Sequence, residues 1–129
     1  MKRLSVIFAT LLLALVAMAA TADYAQATFP EQSHDFGTIK EEKGPVTTTF
    51  EFINTGNKPL IIVEAMASCG CTRPEYPTRP IKPGKKGKIS VTYSPIGRPG
   101  AFRKTIKVKT NGRERVTTLT ITGTVVPKK

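Results

Sequence analysis

From residue 28 onward, apolar and polar side chains alternate in short runs, and no stretch repeats apolar residues at the spacing of a helix. One such run places Ile89, Val91 and Tyr93 on the same face of a strand. Turn-forming residues, such as those from Asn54 to Asn57, separate the runs. Seven strands are predicted, at or near residues 34–39, 46–52, 60–67, 81, 88–93, 102–109 and 118–125.

This pattern predicts an all-β fold, an immunoglobulin-like antiparallel β-sandwich of about seven strands. Residues 60–63 are apolar on both faces, which favours a central strand that is covered on both sides. Asn111 and Gly112 both tolerate positive φ, so they predict a two-residue type I′ hairpin turn. The core is expected to come from inward-facing residues of these strands: Phe50, Phe52, Ile62, Val91, Ile106 and Leu119.

The N-terminal part of the chain has a different character. A short positive segment precedes an almost wholly apolar stretch, residues 4–20, and two sites of the A-x-A type end at Ala22 and Ala27. These features predict a signal peptide, residues 1–27, with cleavage after Ala22 as the alternative, followed by one domain, residues 28–129. No stop-transfer cations follow the apolar stretch, so we expect a periplasmic or secreted protein whose mature chain has no transmembrane segment.

The net charge of the whole chain is +11, and it is unevenly distributed. Residues 28–72 carry three Lys against six acids, whereas residues 73–129 carry fifteen Lys or Arg against two Glu. For an exported protein, such a basic surface favours acidic proteins, anionic glycans or lipid head groups as partners, rather than nucleic acid. Exposed cations also prevent edge-to-edge aggregation, and this role explains the excess of Lys and Arg equally well. The candidate residues for anion or partner binding are Lys82, Lys85, Lys86, Arg103, Lys107 and Lys109.

A series of short sequence elements carries a family resemblance. In chain order they are Asp35-Phe36-Gly37, Phe52-Ile53-Asn54-Thr55-Gly56, Pro59-Leu60, Ser68-Cys69-Gly70-Cys71-Thr72, Ile81-Lys82-Pro83-Gly84, Gly100-Ala101-Phe102-Arg103-Lys104-Thr105-Ile106 and Leu119-Thr120-Ile121-Thr122-Gly123. This series resembles the family of domains of unknown function DUF1573 over essentially the whole chain after the signal peptide. The resemblance implies a hydin-type immunoglobulin-like sandwich, found in exported bacterial proteins either alone or joined to other domains. It implies no established activity.

The candidate chemistry lies at Cys69-Gly70-Cys71, which contains both cysteines of the chain. Two cysteines in an exported protein usually pair. Residues i and i+2 of an extended strand lie near the upper limit of about 6.8 Å for bridged Cα atoms, so a disulfide needs a bend, which Gly70 permits. Such a bridge closes a very small loop and adds little stability. Three roles stay open: a redox-active dithiol, a soft-metal site, or a lock on the bend.

A metal at this motif would most plausibly be copper. Two thiolates one residue apart could hold Cu(I), and Met66 could add a thioether, although a methionine on a strand usually belongs to the core. Zinc would need further ligands, and His34 is the one histidine of the chain. Apart from this copper alternative, we expect no cofactor.

No catalytic residues are identified. A cysteine nucleophile needs a histidine base, and nothing in the sequence brings His34 to Cys69. No phosphate-binding glycine loop is present, and without Trp an aromatic stacking platform is unsupported. The favoured hypothesis is an exported, non-catalytic interaction or binding module, with an unknown protein or an anionic envelope component as its partner. The alternative is a periplasmic thiol-redox or copper-handling protein that uses Cys69 and Cys71.

Overall fold

The structure, a computed structural model, describes residues 23–128 as an all-β sandwich of two four-stranded sheets. Residues 1–22, which hold most of the predicted signal peptide, lie outside the described residues. In chain order the strands are β1 (Ala27–Thr28), β2 (Ser33–Lys40), β3 (Val46–Asn54), β4 (Ile62–Ala67), β5 (Thr72–Glu75), β6 (Lys86–Tyr93), β7 (Gly100–Thr110) and β8 (Val116–Val126). A short 3₁₀ helix, Glu41–Lys43, follows β2. Within this part of the chain, no helix is long and apolar enough to cross a membrane.

The first sheet has the order β1-β3-β6-β5 and the second sheet has the order β2-β8-β7-β4. The all-β sandwich is therefore confirmed, but two details of the expectation were wrong. The described residues form eight strands rather than seven, because β1 and β5 are too short to show an alternating pattern and Ile81 makes only an isolated bridge with Leu60. The sheets are also not wholly antiparallel, since β2 pairs with β8 in parallel.

The core lies between the two sheets and follows the predicted alternation. All six residues expected there are buried, and Phe52, Val91, Ile106 and Leu119 are fully enclosed. Tyr93 of β6 stacks on Phe102 of β7, with ring centroids 3.9 Å apart, so this pair joins the two sheets. Burial of each large side chain contributes about 1.5–3 kcal/mol, which makes this alternation the main determinant of the fold.

Strand β4 does not occupy the central position that its apolar sequence predicted. It is the last strand of the second sheet and pairs only with β7. Ile62 points into the core, but the neighbouring Ile61 and Val63 are 42% and 59% exposed. The prediction failed because an edge strand next to solvent and a strand covered on both sides can share the same apolar pattern.

The predicted hairpin between β7 and β8 is present, but its turn is not of type I′. Neither Asn111 nor Gly112 has a positive φ. The loop is longer than two residues, and the Thr110 N–H donates to the Arg115 carbonyl at 2.8 Å. The Asn111 side chain is used instead to accept a hydrogen bond from the Ile61 N–H at 2.7 Å, which ties the hairpin to the chain before β4.

Asn54, at the end of β3, is completely buried and acts as a junction between several segments. Its Oδ1 accepts hydrogen bonds from the N–H groups of Gln26 at 3.3 Å and Gly56 at 3.0 Å. Its Nδ2 donates to the carbonyls of Lys58 at 2.7 Å and Ile81 at 2.9 Å. One amide therefore makes four hydrogen bonds to the backbone at this end of the sandwich, where the Ile81 carbonyl also accepts one from the Leu60 N–H at 2.8 Å.

Residues 23–27 are an integrated part of the folded domain. Ala25 and Ala27 are buried, and β1 pairs with the end of β3. A side chain at Gly56 would collide with the backbone of Tyr24 and Ala25, so the glycine of the Asn54-Thr55-Gly56 turn makes room for this segment. The Ala25 carbonyl also accepts a hydrogen bond from Arg113 N–H at 2.8 Å.

Replacement of Asn54 should destabilise the whole domain. Asn54→Ala removes the partner of the Lys58 carbonyl and of two N–H groups and one of the two hydrogen bonds to the Ile81 carbonyl, so we expect a loss of about 3–5 kcal/mol in the free energy of unfolding. The exposed Asn57 is the matched control, and Asn57→Ala should cost about 1 kcal/mol or less. Urea denaturation followed by circular dichroism measures both. Equal losses for the two variants would contradict the central role of Asn54.

If the predicted signal peptide is cleaved, the contacts of residues 23–27 favour cleavage after Ala22 over cleavage after Ala27. Cleavage after Ala27 would remove the partners of Gly56, Arg113 and Asn54. We therefore expect N-terminal sequencing of the exported protein to begin at Asp23. We also expect a protein that starts at Thr28 to be less stable by about 2–4 kcal/mol. A mature N-terminus at Thr28 with undiminished stability would refute this prediction.

Candidate functional site

Cys69-Gly70-Cys71 forms the turn in which the chain passes from β4 in the second sheet to β5 in the first. Cys69 and Cys71 are joined by a disulfide, and their Cα atoms are 5.3 Å apart. This distance lies within the usual range for bridged cysteines, so the turn supplies the bend that the bridge requires. Cys71 is buried in the core, Cys69 is half-buried, and Gly70 is exposed.

Backbone hydrogen bonds hold this turn in place. The Cys71 carbonyl accepts a hydrogen bond from the Ser94 N–H at 2.8 Å, and the Thr72 N–H donates to the Cys69 carbonyl at 3.3 Å. The Cys71 N–H points at the Cys69 Sγ, 3.1 Å away. Gly70 does not have a positive φ, and a Cβ there would meet no atom within 4 Å. The bend therefore depends on the bridge and on the contact with β6, and not on a conformation available only to glycine.

The surroundings of the disulfide are mainly apolar and neutral. Thr72 pairs with Tyr93 across β5 and β6, and burial raises the pKa of the Tyr93 hydroxyl. A shallow depression of about 230 Å³ lies beside the bridge and is lined by Pro45, Gly70, Cys71, Arg73, Thr92 and Ser94. Arg73 is the one charged residue of this depression. A thiolate formed here by reduction would have Arg73 as its nearest source of positive charge in the depression.

The residues considered for metal binding do not converge in the structure. Met66 is 55% exposed on the outer face of the second sheet, whereas Cys69 and Cys71 pack against the core. His34 lies on β2, with its ring 4.7 Å from that of Phe36. Among residues 23–128, no three His, Cys, Asp or Glu side chains are grouped to hold a metal ion. A Cu(I) ion would require reduction of the bridge, and Met66 faces away from both sulfurs.

The six candidate cations separate into two groups. Lys82, Lys85 and Lys86 lie in and next to the loop before β6, at one end of the sandwich. The other three, Arg103, Lys107 and Lys109, alternate along β7 on the outer face of the second sheet. All six side chains are exposed.

Three further cations, which sequence reasoning did not single out, join the first group. They are Lys58, Arg113 and Arg115, and all three are exposed. We call the set formed by Lys58, Lys82, Lys85, Lys86, Arg113 and Arg115 the cationic end. Two carboxylates lie at the same end: Asp23, in the segment before β1, and Glu114, in the loop between β7 and β8. Of the two ion pairs within residues 23–128, neither involves a residue of the cationic end.

Hydrogen bonds between loops bring the cationic end together. Asn54 donates through its backbone N–H to the Lys85 carbonyl at 3.0 Å and accepts from the Gly84 N–H at 2.8 Å, which holds the loop before β6. The Glu114 N–H donates to Gln26 Oε1 at 3.0 Å, which holds the loop between β7 and β8. These contacts link positions far apart in sequence. No local sequence pattern could therefore have shown that the loops before β4, β6 and β8 meet at one end.

Two of the β7 cations, Lys107 and Lys109, lie opposite the edge strand β4. Lys109 lies opposite Glu64, with Nζ 3.1 Å from Oε1. Both side chains of this pair are about half exposed, so the ion pair contributes little to stability. Lys107 lies opposite Met66 and makes no ion pair within the described chain. The same strands border a depression of about 490 Å³, lined by Met66, Ala67, Ser68, Thr105, Lys107 and Lys109.

The end of the sandwich opposite the cationic end is held by Glu41. Its Oε1 accepts a hydrogen bond from the Gly97 N–H at 2.8 Å, and its Oε2 accepts one from the Lys128 N–H at 3.0 Å. These two hydrogen bonds, that from Gly97 first, lower the pKa of the Glu41 carboxyl. This carboxylate joins the 3₁₀ helix, the turn after β6 and the C-terminal segment.

A comparison with known proteins gives a family and a fold. A family model described as "Protein of unknown function (DUF1573)" matches residues 27–125. No curated protein matches the sequence. A solved structure of a protein of unknown function from Porphyromonas gingivalis W83 is 13% identical, with a TM-score of 0.68, and the match covers 82% of this chain. The chain spans half of that protein, since the match covers 50% of its length.

Two further solved structures share the sandwich. The ASH / PapD-like domain of human CEP192 (PapD-like domain 7) is 12% identical, with a TM-score of 0.63 over 85% of this chain and 92% of that domain. The YadV chaperone is 14% identical, with a TM-score of 0.51 over 80% of this chain and 52% of that chaperone. At these identities the likeness concerns the fold alone, and it places the domain among immunoglobulin-like and PapD-like sandwiches.

The double variant Cys69→Ala/Cys71→Ala should still fold. The bridge closes a loop of only a few residues, so its loss should lower the free energy of unfolding by about 1–2 kcal/mol. Urea denaturation of the oxidised protein, the reduced protein and the double variant measures this difference. A loss as large as that expected for Asn54→Ala would show that the bridge is a main structural element.

Proposed function

The chain belongs to the DUF1573 family of proteins of unknown function, and from that premise we propose that it is an exported, non-catalytic interaction module whose cationic end binds an acidic protein. The observation that carries this proposal is the cationic end itself. Six Lys or Arg side chains lie in or next to the loops that precede β4, β6 and β8, at the same end of the sandwich as two carboxylates. No ion pair within the described chain neutralises these cations. Concentrated charge of one sign at one end steers partners of the opposite charge to it.

The rigidity of the cationic end favours a defined partner. Asn54 and Gln26 fix the backbone of its loops through hydrogen bonds, so the charged side chains project from a stable support. A surface arranged in advance loses less entropy on binding than a flexible one. The likeness to the YadV chaperone, a protein of the same fold, is consistent with a role in protein binding.

Export is part of the proposal and has its own support. The apolar stretch of residues 4–20 and the A-x-A sites have the pattern of a signal peptide. The bridge between Cys69 and Cys71 also fits an oxidising compartment outside the cytosol.

Site-specific photo-cross-linking in cells tests the proposal. A photoreactive residue at Val116, beside the cationic end, should form an adduct with an acidic protein, whereas one at Thr47, on the outer face of the first sheet, should not. The triple variant Lys58→Glu/Lys85→Glu/Arg115→Glu should lower the yield at Val116 by about tenfold or more, because charge complementarity is reversed. Its matched control reverses three exposed cations at the opposite end: Lys40, Lys43 and Arg98.

Several outcomes would overturn the proposal. The two triple variants could lose the adduct equally, which would indicate only a general charge effect. Wild-type protein could give no protein adduct at Val116, or the purified mature chain could bind vesicles of phosphatidylglycerol in a manner that depends on the cationic end. The last result would identify an anionic lipid surface, and not an acidic protein, as the partner.

A second candidate function is thiol-redox exchange, which the observed disulfide favours. The bridge is half accessible through Cys69, lies beside a depression that contains Arg73, and closes a loop too small to add much stability. A small stability difference between the oxidised protein and the double alanine variant would keep this function possible. A large difference would assign the bridge a structural role.

A further inference from the structure

The sandwich has four edge strands, and one of them lacks the usual protection against pairing with another chain. Strand β1 has only two residues, and β5 has four and contains Arg73 and Pro74. Strand β2 contains Lys40 and is interrupted near Gly37, which has a positive φ. Strand β4 has six residues and contains no Pro, Lys or Arg. Short length, proline, lysine and irregularity are devices that protect natural edges, and residues 64–67 of β4 contain no proline, no lysine and no irregularity. Their one charge, that of Glu64, is paired with Lys109.

The free edge of β4 presents unpaired backbone groups. The Ser68 N–H donates to the Thr105 carbonyl of β7 at 2.9 Å. Along a strand, successive N–H groups point to opposite sides, so those of Ala65 and Ala67 point away from β7. The irregular pairing of β4 lies between Ile62 and Glu64, which leaves residues 64–67 in regular register. This stretch can accept a further antiparallel strand.

The side chains of β4 define what such a strand would contact. On the outer face, Met66 is 55% exposed, and Glu64 is paired with Lys109. Val63, in the irregular part of the strand, is 59% exposed. On the inner face, Ala65 and Ala67 are half-buried against the margin of the core. Their small side chains leave the inner positions of an added strand free for larger apolar side chains.

The cations of β7 define the charge of the added strand. Neighbouring strands lie about 4.8 Å apart, so a strand beside β4 would lie about 10 Å from β7. Lys107 faces the neutral Met66, and its ammonium could reach across Met66 to a carboxylate on the added strand. The depression that Met66, Ser68, Thr105 and Lys107 line together lies at this position.

We propose that the free edge of β4 binds an extended acidic segment of a partner protein as an additional strand. The segment alternates acidic residues, which face Lys107 on the outer side, with apolar residues, which cover Ala65 and Ala67 on the inner side. A second copy of this chain is disfavoured, because pairing β4 with β4 would place the β7 cations of two chains with net charge +11 on one continuous face. The proposal goes beyond binding at the cationic end, since it uses a different surface.

The test uses the mature chain and a defined probe. The probe is a fluorescein-labelled peptide of alternating Glu and Val, and its control has the same composition with all Glu residues before all Val residues. Fluorescence anisotropy at low salt should detect binding of the alternating peptide at least about tenfold tighter than the control, because only alternation presents acids on one face.

Variants locate the binding site. Lys107→Glu should weaken binding about tenfold or more, whereas Lys43→Glu, which changes the net charge equally but lies in the exposed 3₁₀ helix at the other end of the sandwich, should change it less than about twofold. Ala67→Pro removes an N–H from the free edge and leaves the β7 hydrogen bonds intact, so it should abolish binding. If Ala67→Pro fails to fold, Met66→Glu places a negative charge against the acidic side chains of the added strand and should have the same effect.

Equal weakening by Lys43→Glu and Lys107→Glu, or unchanged binding to Ala67→Pro and Met66→Glu, would overturn this inference. A dimer of the mature chain in sedimentation experiments that Ala67→Pro dissociates would identify a second copy as the occupant instead. The peptide test concerns β4, and the cross-link at Val116 concerns the cationic end. A peptide that does not bind would therefore contradict this inference without contradicting the proposed function, and a missing cross-link would do the reverse.

Discussion

The buried side chain of Asn54 is the constraint on which the organisation of one end of the sandwich depends. Its amide bonds to the chain before β1, the turn after β3 and the segment before β6. These segments have little regular structure of their own, so their backbone groups need a partner other than a sheet. Because the amide is fully buried, each of its hydrogen bonds operates in a medium of low dielectric and is costly to break.

The same junction supports the cationic end, where electrostatics opposes folding. Lys58, Lys85 and Arg115 belong to loops that the hydrogen-bond network holds close together. Like charges repel, so this arrangement is less stable than one with the cations dispersed over the surface. The hydrogen bonds of Asn54 therefore stabilise loops on which the charge of one sign is concentrated. Departures from local stability are expected at functional surfaces.

The predictable part of the structure was the part set by local alternation. Strands β3, β6, β7 and β8 are long and bury one face, so their sequence shows a clear period of two. Strands β1 and β5 are too short for such a pattern. Asn54 looks like an ordinary turn residue in the sequence, because its role depends on partners up to 28 residues away. The candidate Cys69-Gly70-Cys71 was visible as a motif, but only the fold shows that it spans the passage between sheets.

The mistaken expectation for β4 is itself informative. Apolar residues on both faces normally indicate burial on both faces, yet Val63 and Met66 are exposed here because β4 lies at the edge of its sheet. Retaining an edge without lysine, arginine or proline exposes backbone and side chains to aggregation, a risk that the other three edges reduce by shortness, proline, basic residues or interruption. The sequence of β4 is therefore suited to burial that the isolated domain does not provide. An added strand with acidic outer residues would supply that burial and would neutralise Lys107, so one partner would account for both the apolar edge and the unpaired cation beside it.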